Sequence, residues 1–176
     1  MFGHFVKGMP QAYRRMQDGD LLHFAGYEWE VIVGRGHSPE HACLFDADRN
    51  ILISGDQILP TISPNVSVWP TEPQADPLME WFRSIDRFEE KLPGDVLVLP
   101  AHGKPFRGAH VRLEQLRRDH TDKLDRLLAN STSPRRVVDV FPDLIPIRPP
   151  TEPCATSPRP RRGPPGPRPR DARRRR

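Results

Sequence analysis

The chain has 176 residues, a hydrophobic content of 36% and a net charge of +4, which allows one domain with a buried core. It contains no apolar run of about 18 residues and no apolar segment of the signal-peptide type near its start, which argues against membrane and secreted proteins. Its two cysteines, Cys43 and Cys154, lie in unlike contexts, which indicates a reducing, cytoplasmic location rather than a disulfide framework.

The charge is divided unevenly along the chain. Residues 146–176 contain ten arginines, ten prolines and two acidic residues, which gives them +8 and leaves −4 for residues 1–145. Such a segment buries too little apolar surface to offset its ordering entropy, so we predict a disordered tail. It could hold nucleic acid through counterion release, but it lacks lysine and aromatic side chains for base stacking. Nucleic acid is therefore a disfavoured partner, and an out-of-frame or unselected extension is the favoured explanation.

The first elements in chain order are predicted to be strands. Residues 1–19 form a connecting segment, and the turn signal "DGD" ends it. "LLHFAGYEWEVIVG" then predicts a hairpin with Ala25 and Gly26 near its tip, and "ACLFDADRNILISGD" predicts a second hairpin around a polar turn. A proline-punctuated loop follows at 57–75, and loops of that length usually cover something.

Helices and one more strand are predicted in the second part. Asp76 and Pro77 supply a side-chain cap and a first-turn proline for a helix that "LPGD" stops. The apolar stripe of this helix consists of Leu78, Trp81, Ile85, Phe88 and Leu92. A short buried strand at 96–100 and a helix at about 109–129 follow, and Ser133-Pro134 can start a third helix. We therefore expect a main α/β domain at 20–130 and a short helical extension at 131–145.

Three metal-competent side chains come directly after predicted strands. They are His37, Asp56 and His102, and each stands beside glycine or proline. Side chains on loops at strand ends converge at one edge of a sheet, and two imidazoles with a carboxylate suit zinc or iron. A single histidine after a strand is more often a surface residue than a ligand, so the hypothesis of a metal site rests on the set of three.

These stretches resemble a known family. "GRGHSPEHACLF", "LISGDQIL" and "LVLPAHGKPF" are similar to three successive motifs of the metallo-β-lactamase-fold hydrolases, which include glyoxalase II-like thioesterases. The resemblance implies one or two divalent metals, with zinc expected, and His37 as a ligand of the first metal. It implies Asp56 as the bridging ligand that orients the catalytic water, and His102 as a ligand of the second metal. His41 would support the loop from the second shell.

The sequence departs from the family pattern in one large respect. The family opens with an H-x-H-x-D-H motif, whereas the seven histidines of this chain include no H-x-H pair. The resemblance therefore implies only the second βα half of an αββα sandwich, with short C-terminal helices and the disordered tail. We expect an incomplete hydrolase for ester, thioester or amide-type small molecules, with weak or no activity. Apolar strands left exposed by the absent half would favour self-association.

Several residues keep two interpretations. Lys104 and Trp69 could contact substrate, although a solvated lysine and a loop-anchoring tryptophan are the more common cases. His120 lies on the apolar stripe of a helix, where packing is the expectation, and Cys43 is expected to be a buried, inert thiol. The alternative function for the whole chain is a non-catalytic interaction protein whose basic tail contacts nucleic acid.

Overall fold

The computed structural model describes residues 12–145, and they form one five-stranded sheet with helices. The strands are β1 (Leu21–Phe24), β2 (Tyr27–Gly34), β3 (His41–Asp46), β4 (Ile51–Gly55) and β5 (Leu97–Pro100). They lie side by side in chain order. The first four are successively antiparallel, because short turns join them, and β5 lies parallel to β4. A parallel neighbour needs a crossover connection, which the long loop and the first helix supply.

The helices are α1 (Pro77–Lys91), α2 (Ala109–Asn130) and a short α3 (Phe141–Leu144) that follows a 3₁₀ turn at Val137–Val140. The N-terminus of α1 is capped as predicted, since Asp76 Oδ1 accepts a hydrogen bond of 3.0 Å from the backbone N–H of Met79. The third helical segment begins later than its Ser133-Pro134 signal predicts, at Val137. The start of α2 is tied to the end of α1 by a contact of 2.7 Å between His110 Nε2 and the Leu92 carbonyl.

One face of the sheet, here called the first face, packs against the helices. Alternate strand residues point to it, and the helices add the apolar stripe predicted for α1 and the buried side of α2. The resulting core consists mainly of Ile32, Cys43, Phe45, Leu52, Trp81, Ile85, Phe88, Val98, Leu113 and Leu116. Cys43 is fully buried, and burial raises the pKa of its thiol, as expected for an inert side chain.

The opposite face of the sheet, here called the second face, is also apolar. A row of paired residues runs straight across four strands and consists of Val31, Leu44, Ile53 and Leu99. Val31 is buried, and the other three are half-buried. Within residues 12–145, the buried helix side chains belong to the core of the first face, so the described part of the chain has one helical layer on one sheet.

The predicted strands and the two long helices agree closely with the observed elements. The connecting segment is described only from Ala12, and its end pairs with β2 through Asp18 and Gly19. The predicted disordered tail, 146–176, lies outside the described residues. No helix in the described part of the chain combines the length and apolar character of a bilayer span.

Candidate metal centre

The candidate site lies at one edge of the sheet, and strand direction explains why. Strands β2, β4 and β5 run the same way, because β3 is antiparallel to both β2 and β4 and β5 is parallel to β4. The carboxyl ends of these three strands therefore meet at one edge. His37, Asp56 and His102 follow those ends, and His41 begins β3 at the same edge.

Asp56 stands between two of the histidines. Its Oδ2 is 3.8 Å from Nε2 of His37, and its Oδ1 is 3.3 Å from Nε2 of His102. Oδ1 is shielded from solvent and has no hydrogen-bond partner in the described structure. A buried carboxylate oxygen without a partner is costly, and a cation would satisfy it. The donor set thus fits a divalent metal.

His37 is oriented by the long loop. Its Nδ1 lies 2.9 Å from the backbone carbonyl of Asn65, and a carbonyl can only accept a hydrogen bond. Nδ1 therefore carries a proton, and in the neutral tautomer the lone pair is on Nε2, the nitrogen that lies 3.8 Å from Asp56 Oδ2. Metal-binding histidines are commonly held in this way by a carbonyl on the other ring nitrogen. Arg112 of α2 in turn holds the loop, since its guanidinium donates to the carbonyls of Leu59 and Ile62 at 2.6 and 2.9 Å.

The segment before His37 is fixed to the helical layer. The backbone N–H of Arg35 donates to the buried Ser84 hydroxyl at 2.7 Å, and Gln57 Nε2 donates to the Arg35 carbonyl at 3.2 Å. Gly36 has a φ of +98° and lies so close to α1 that a Cβ there would stand 2.6 Å from Cβ of Trp81. Only glycine satisfies both the backbone angle and this close approach.

His41 supports the site from β3. Its ring centroid is 5.6 Å from that of His37, and a Cβ on Gly55 would lie 2.4 Å from its Nε2. Burial lowers the pKa of His41, and the neighbouring His37 adds to this effect. Gly55, with a φ of +55°, lets the chain turn directly into Asp56 against this imidazole.

The other predicted residues take different places. His102 is the most open of the three candidate ligands, with 66% of its side chain exposed, and Lys104 is exposed beside it. Trp69 is half-exposed and, with Ser38 and Pro39, lines a shallow depression that none of the three candidate ligands lines. His120 packs edge-on against Trp81 and Phe82, as expected for a core-facing residue of α2.

The arrangement is that of a carboxylate between two imidazoles. Within residues 12–145, no three His, Cys, Asp or Glu side chains already surround a single point in the manner of a loaded metal site. Each imidazole instead approaches a different oxygen of Asp56. Sequence patterns missed Asn65, Arg112 and Gln57. Asn65 acts through its own main-chain carbonyl, whereas the side chains of Arg112 and Gln57 donate to main-chain carbonyls of other residues. Such contacts cannot be predicted from residue type.

Comparison with known proteins identifies the family. The family model described as the metallo-β-lactamase superfamily matches residues 10–131, more than half of the chain. A beta-lactamase domain protein from Burkholderia ambifaria has a crystal structure that matches with a TM-score of 0.73 and 42% identity, over 81% of this chain and 44% of that one. A metallo-β-lactamase family protein from Thermus thermophilus matches with a TM-score of 0.67 and 29% identity, over 78% of this chain and 44% of that one.

An uncharacterised protein from Aquifex aeolicus is 29% identical over 93 residues, which are 53% of this chain and 42% of that protein. The chain thus spans less than half the length of these three relatives. The described sheet and helices form a mixed α/β unit that matches part of the metallo-β-lactamase fold. On the family model and these structural matches, the chain belongs to the metallo-β-lactamase superfamily, a family of metal-dependent, hydrolase-type proteins.

Proposed function

We propose that this chain carries part of the active site of a metal-dependent hydrolase that acts on ester, thioester or amide-type small molecules. His37, Asp56 and His102 are the proposed ligands, and zinc is the proposed metal. The observation that carries the proposal is the Asp56 carboxylate between two imidazole Nε2 atoms; its buried Oδ1 accepts no hydrogen bond although it lies 3.3 Å from Nε2 of His102.

The proposed residues have distinct roles. When bound, a divalent metal supplies Lewis-acid activation of water and of the scissile carbonyl. The Asn65 carbonyl favours the tautomer of His37 with its proton on Nδ1, and in that neutral tautomer Nε2 is the nitrogen that can bind a metal. Asp56 offers both carboxylate oxygens, and its placement suits the orientation of an attacking water. His41 limits the movement of both His37 and Gly55 by contact.

Substrate contacts are proposed for two exposed residues. Trp69 lines the depression next to the His37 segment, where an apolar group of a substrate could rest against its ring. Lys104 follows His102 by two residues and is exposed, so its ammonium could pair with a substrate carboxylate.

A cytoplasmic location is part of the proposal, since a metal-binding hydrolase with a free, buried Cys43 needs no oxidising compartment.

We propose weak or no turnover for the chain by itself. The resemblance to the family assigns several ligands to an H-x-H-x-D-H motif, and this sequence has no H-x-H pair. Three ligands can hold a metal, but catalysis also needs a shaped, water-excluding cavity. Here His102 is largely exposed, so the site as described is open to solvent.

Metal titration tests the proposal. We expect the purified chain to bind zinc, and Asp56→Ala to weaken the affinity by at least about tenfold, since even indirect partners of ligands have effects of that size. Asp122→Ala is the matched control, because it removes an exposed carboxylate from α2. Equal zinc affinity of the Asp56→Ala variant and the unmodified chain would contradict the site.

Hydrolysis assays test the activity separately. Thioester and β-lactam substrates with zinc titrated in should give little or no turnover above the Asp56→Ala variant. Robust turnover that the variant abolishes would show that three ligands suffice and that the expectation of weak activity is wrong.

A further inference from the structure

We propose that a groove in the helical layer binds a small apolar monocarboxylate, of the size of a medium-chain fatty acid, with its charged group on Lys123. The groove, here called the helix groove, lies between the long loop, the N-terminal turn of α1, the second half of α2 and the end of α3. The inference depends neither on the metal site nor on hydrolase activity.

The walls of the helix groove are mainly aliphatic. Val66 of the loop, Leu78 of α1, Leu127 of α2 and Leu144 of α3 are half-buried in it, and Leu124 of α2 is 41% exposed. Sites for small molecules have volumes of about 300–1,000 Å³ and combine an apolar lining with a few polar groups. The helix groove, with a volume of about 580 Å³, has the size and the lining of such a site.

Lys123 is the one charged residue among those that line the helix groove. It is half-buried, yet its ammonium forms no ion pair with an acidic side chain within residues 12–145. Asp119 stands one helical turn earlier on α2, but its carboxylate accepts a hydrogen bond of 3.4 Å from the Ser63 hydroxyl instead. A cation that is partly withdrawn from water is stabilised by an anion at close range, so the groove favours a negatively charged ligand.

His120 decides between a ligand with one negative charge and a ligand with two. Burial lowers the pKa of this imidazole, the ammonium of Lys123 adds to the effect, and Asp119 opposes it. The ring is therefore uncharged at neutral pH and is held by edge-on contacts with Trp81 and Phe82. Lys123 alone then supplies positive charge to the groove, which matches a single carboxylate.

The helix groove is separate from the candidate metal centre. None of His37, Asp56 and His102 lines it. Asn65 belongs to its wall and directs its backbone carbonyl to Nδ1 of His37 at 2.9 Å, so the loop lies between the two sites. Binding in the groove can therefore be measured without zinc.

Isothermal titration calorimetry of the full chain with octanoate, in the absence of zinc, tests the proposal. We expect one octanoate to bind, and we expect Lys123→Met to weaken this binding at least about tenfold, since hydrogen bonds to charged groups have effects of that size. Octan-1-ol should bind the unmodified chain and Lys123→Met equally, because methionine keeps an apolar side chain in the groove. Arg118→Met is the matched control, because Arg118 is exposed on α2 outside the groove, and it should leave octanoate binding unchanged.

Two further measurements distinguish the helix groove from other places on the chain. Leu127→Gln should weaken the binding of octanoate and of octan-1-ol alike, with unchanged far-ultraviolet circular dichroism. Acetate carries the same charge without the chain and should show no saturable binding. The absence of saturable octanoate binding would overturn the proposal, and so would an octanoate affinity that is unchanged in Lys123→Met. Octanoate binding that requires zinc would assign the ligand to the metal centre and would also overturn it.

Discussion

The residues at the sheet edge show that residue type alone defines only a small part of a site. Asp56 could be selected as a candidate ligand because a carboxylate after a strand suits a cation, and His37 and His102 could be selected in the same way. The proton position on His37 could not be predicted, because it depends on the Asn65 carbonyl, which is 28 residues away in the chain. Residue type predicted which side chains meet, and the path of the long loop determines how they are oriented.

Gly55 offers a sharp test of the packing under Asp56. An alanine there would adopt a strained positive φ of +55° and would also meet His41 Nε2 at 2.4 Å. We expect Gly55→Ala to lower the free energy of unfolding by about 2–4 kcal/mol through strain and overpacking together, and to weaken zinc binding. Thermal and urea denaturation measure the first effect.

Gly26→Ala is the control for backbone strain alone. Gly26 has a φ of +79°, but a Cβ there meets nothing within 4 Å. The Gly26→Ala substitution should lower the free energy of unfolding by about 1 kcal/mol and leave zinc affinity unchanged. Equal effects of the two substitutions would show that contact with His41 contributes nothing.

At the scale of elements, the strands and the two long helices could be predicted from local pattern. The alternating apolar runs, the Asp76 cap and the spacing of the α1 stripe are local signals, and the structure agrees with each. The start of the third helical segment was predicted too early in the chain. Ser133-Pro134 resembles a helix start, but the chain remains extended at Arg136, and the 3₁₀ turn begins at Val137. The parallel pairing of β4 with β5 depends on contacts across the long loop, which periodicity does not encode.

The turn between β3 and β4 gives a prediction for pH dependence. Hydrogen bonds from the Arg49 side chain and backbone lower the pKa of Asp46. A carboxyl with a lowered folded-state pKa stabilises the protein above its unfolded-state pKa of about 3.9, and this contribution is lost as the pH falls through the folded-state value. Asp46→Asn should therefore lower the melting temperature at pH 7 and have little effect near pH 2.

Melting curves at pH 7, 5 and 2 measure this difference. Asp122→Asn serves as the control, since Asp122 is exposed on α2 and should show no comparable gap at pH 7. If the melting temperature of Asp46→Asn stays below that of the unmodified chain by the same amount from pH 7 to pH 2, the Arg49 contacts do not depend on the charge of Asp46.

At the scale of the whole molecule, the chain joins an acidic part to a strongly basic one. Residues 146–176 carry +8, and residues 1–145 carry −4. We expect any retention on heparin or DNA to be lost between low and moderate salt, and to depend entirely on residues 146–176. A chain that ends at Ile145 should flow through the same column.

The melting temperature of that shortened chain is the companion measurement. It should equal that of the full chain, because a Pro/Arg-rich segment has little apolar surface to contribute. A lower melting temperature would show that residues 146–176 contribute to stability, and sequence-selective DNA binding by the full chain would favour an interaction role over the hydrolase hypothesis.

The meander of β1 to β4 has a consequence for the making of this protein in a cell. These strands pair locally, so they can fold as soon as residue 55 is synthesised, whereas α2 is complete only at residue 130. At translation rates of about 5–20 residues per second, the helical layer on the first face stays incomplete for roughly 4–15 s after the four strands are made, although α1 is complete earlier, at residue 91. The yield of folded protein should therefore rise at lower growth temperature and with added chaperone, because each nascent chain exposes an aggregation-prone apolar sheet before its helical layer is complete.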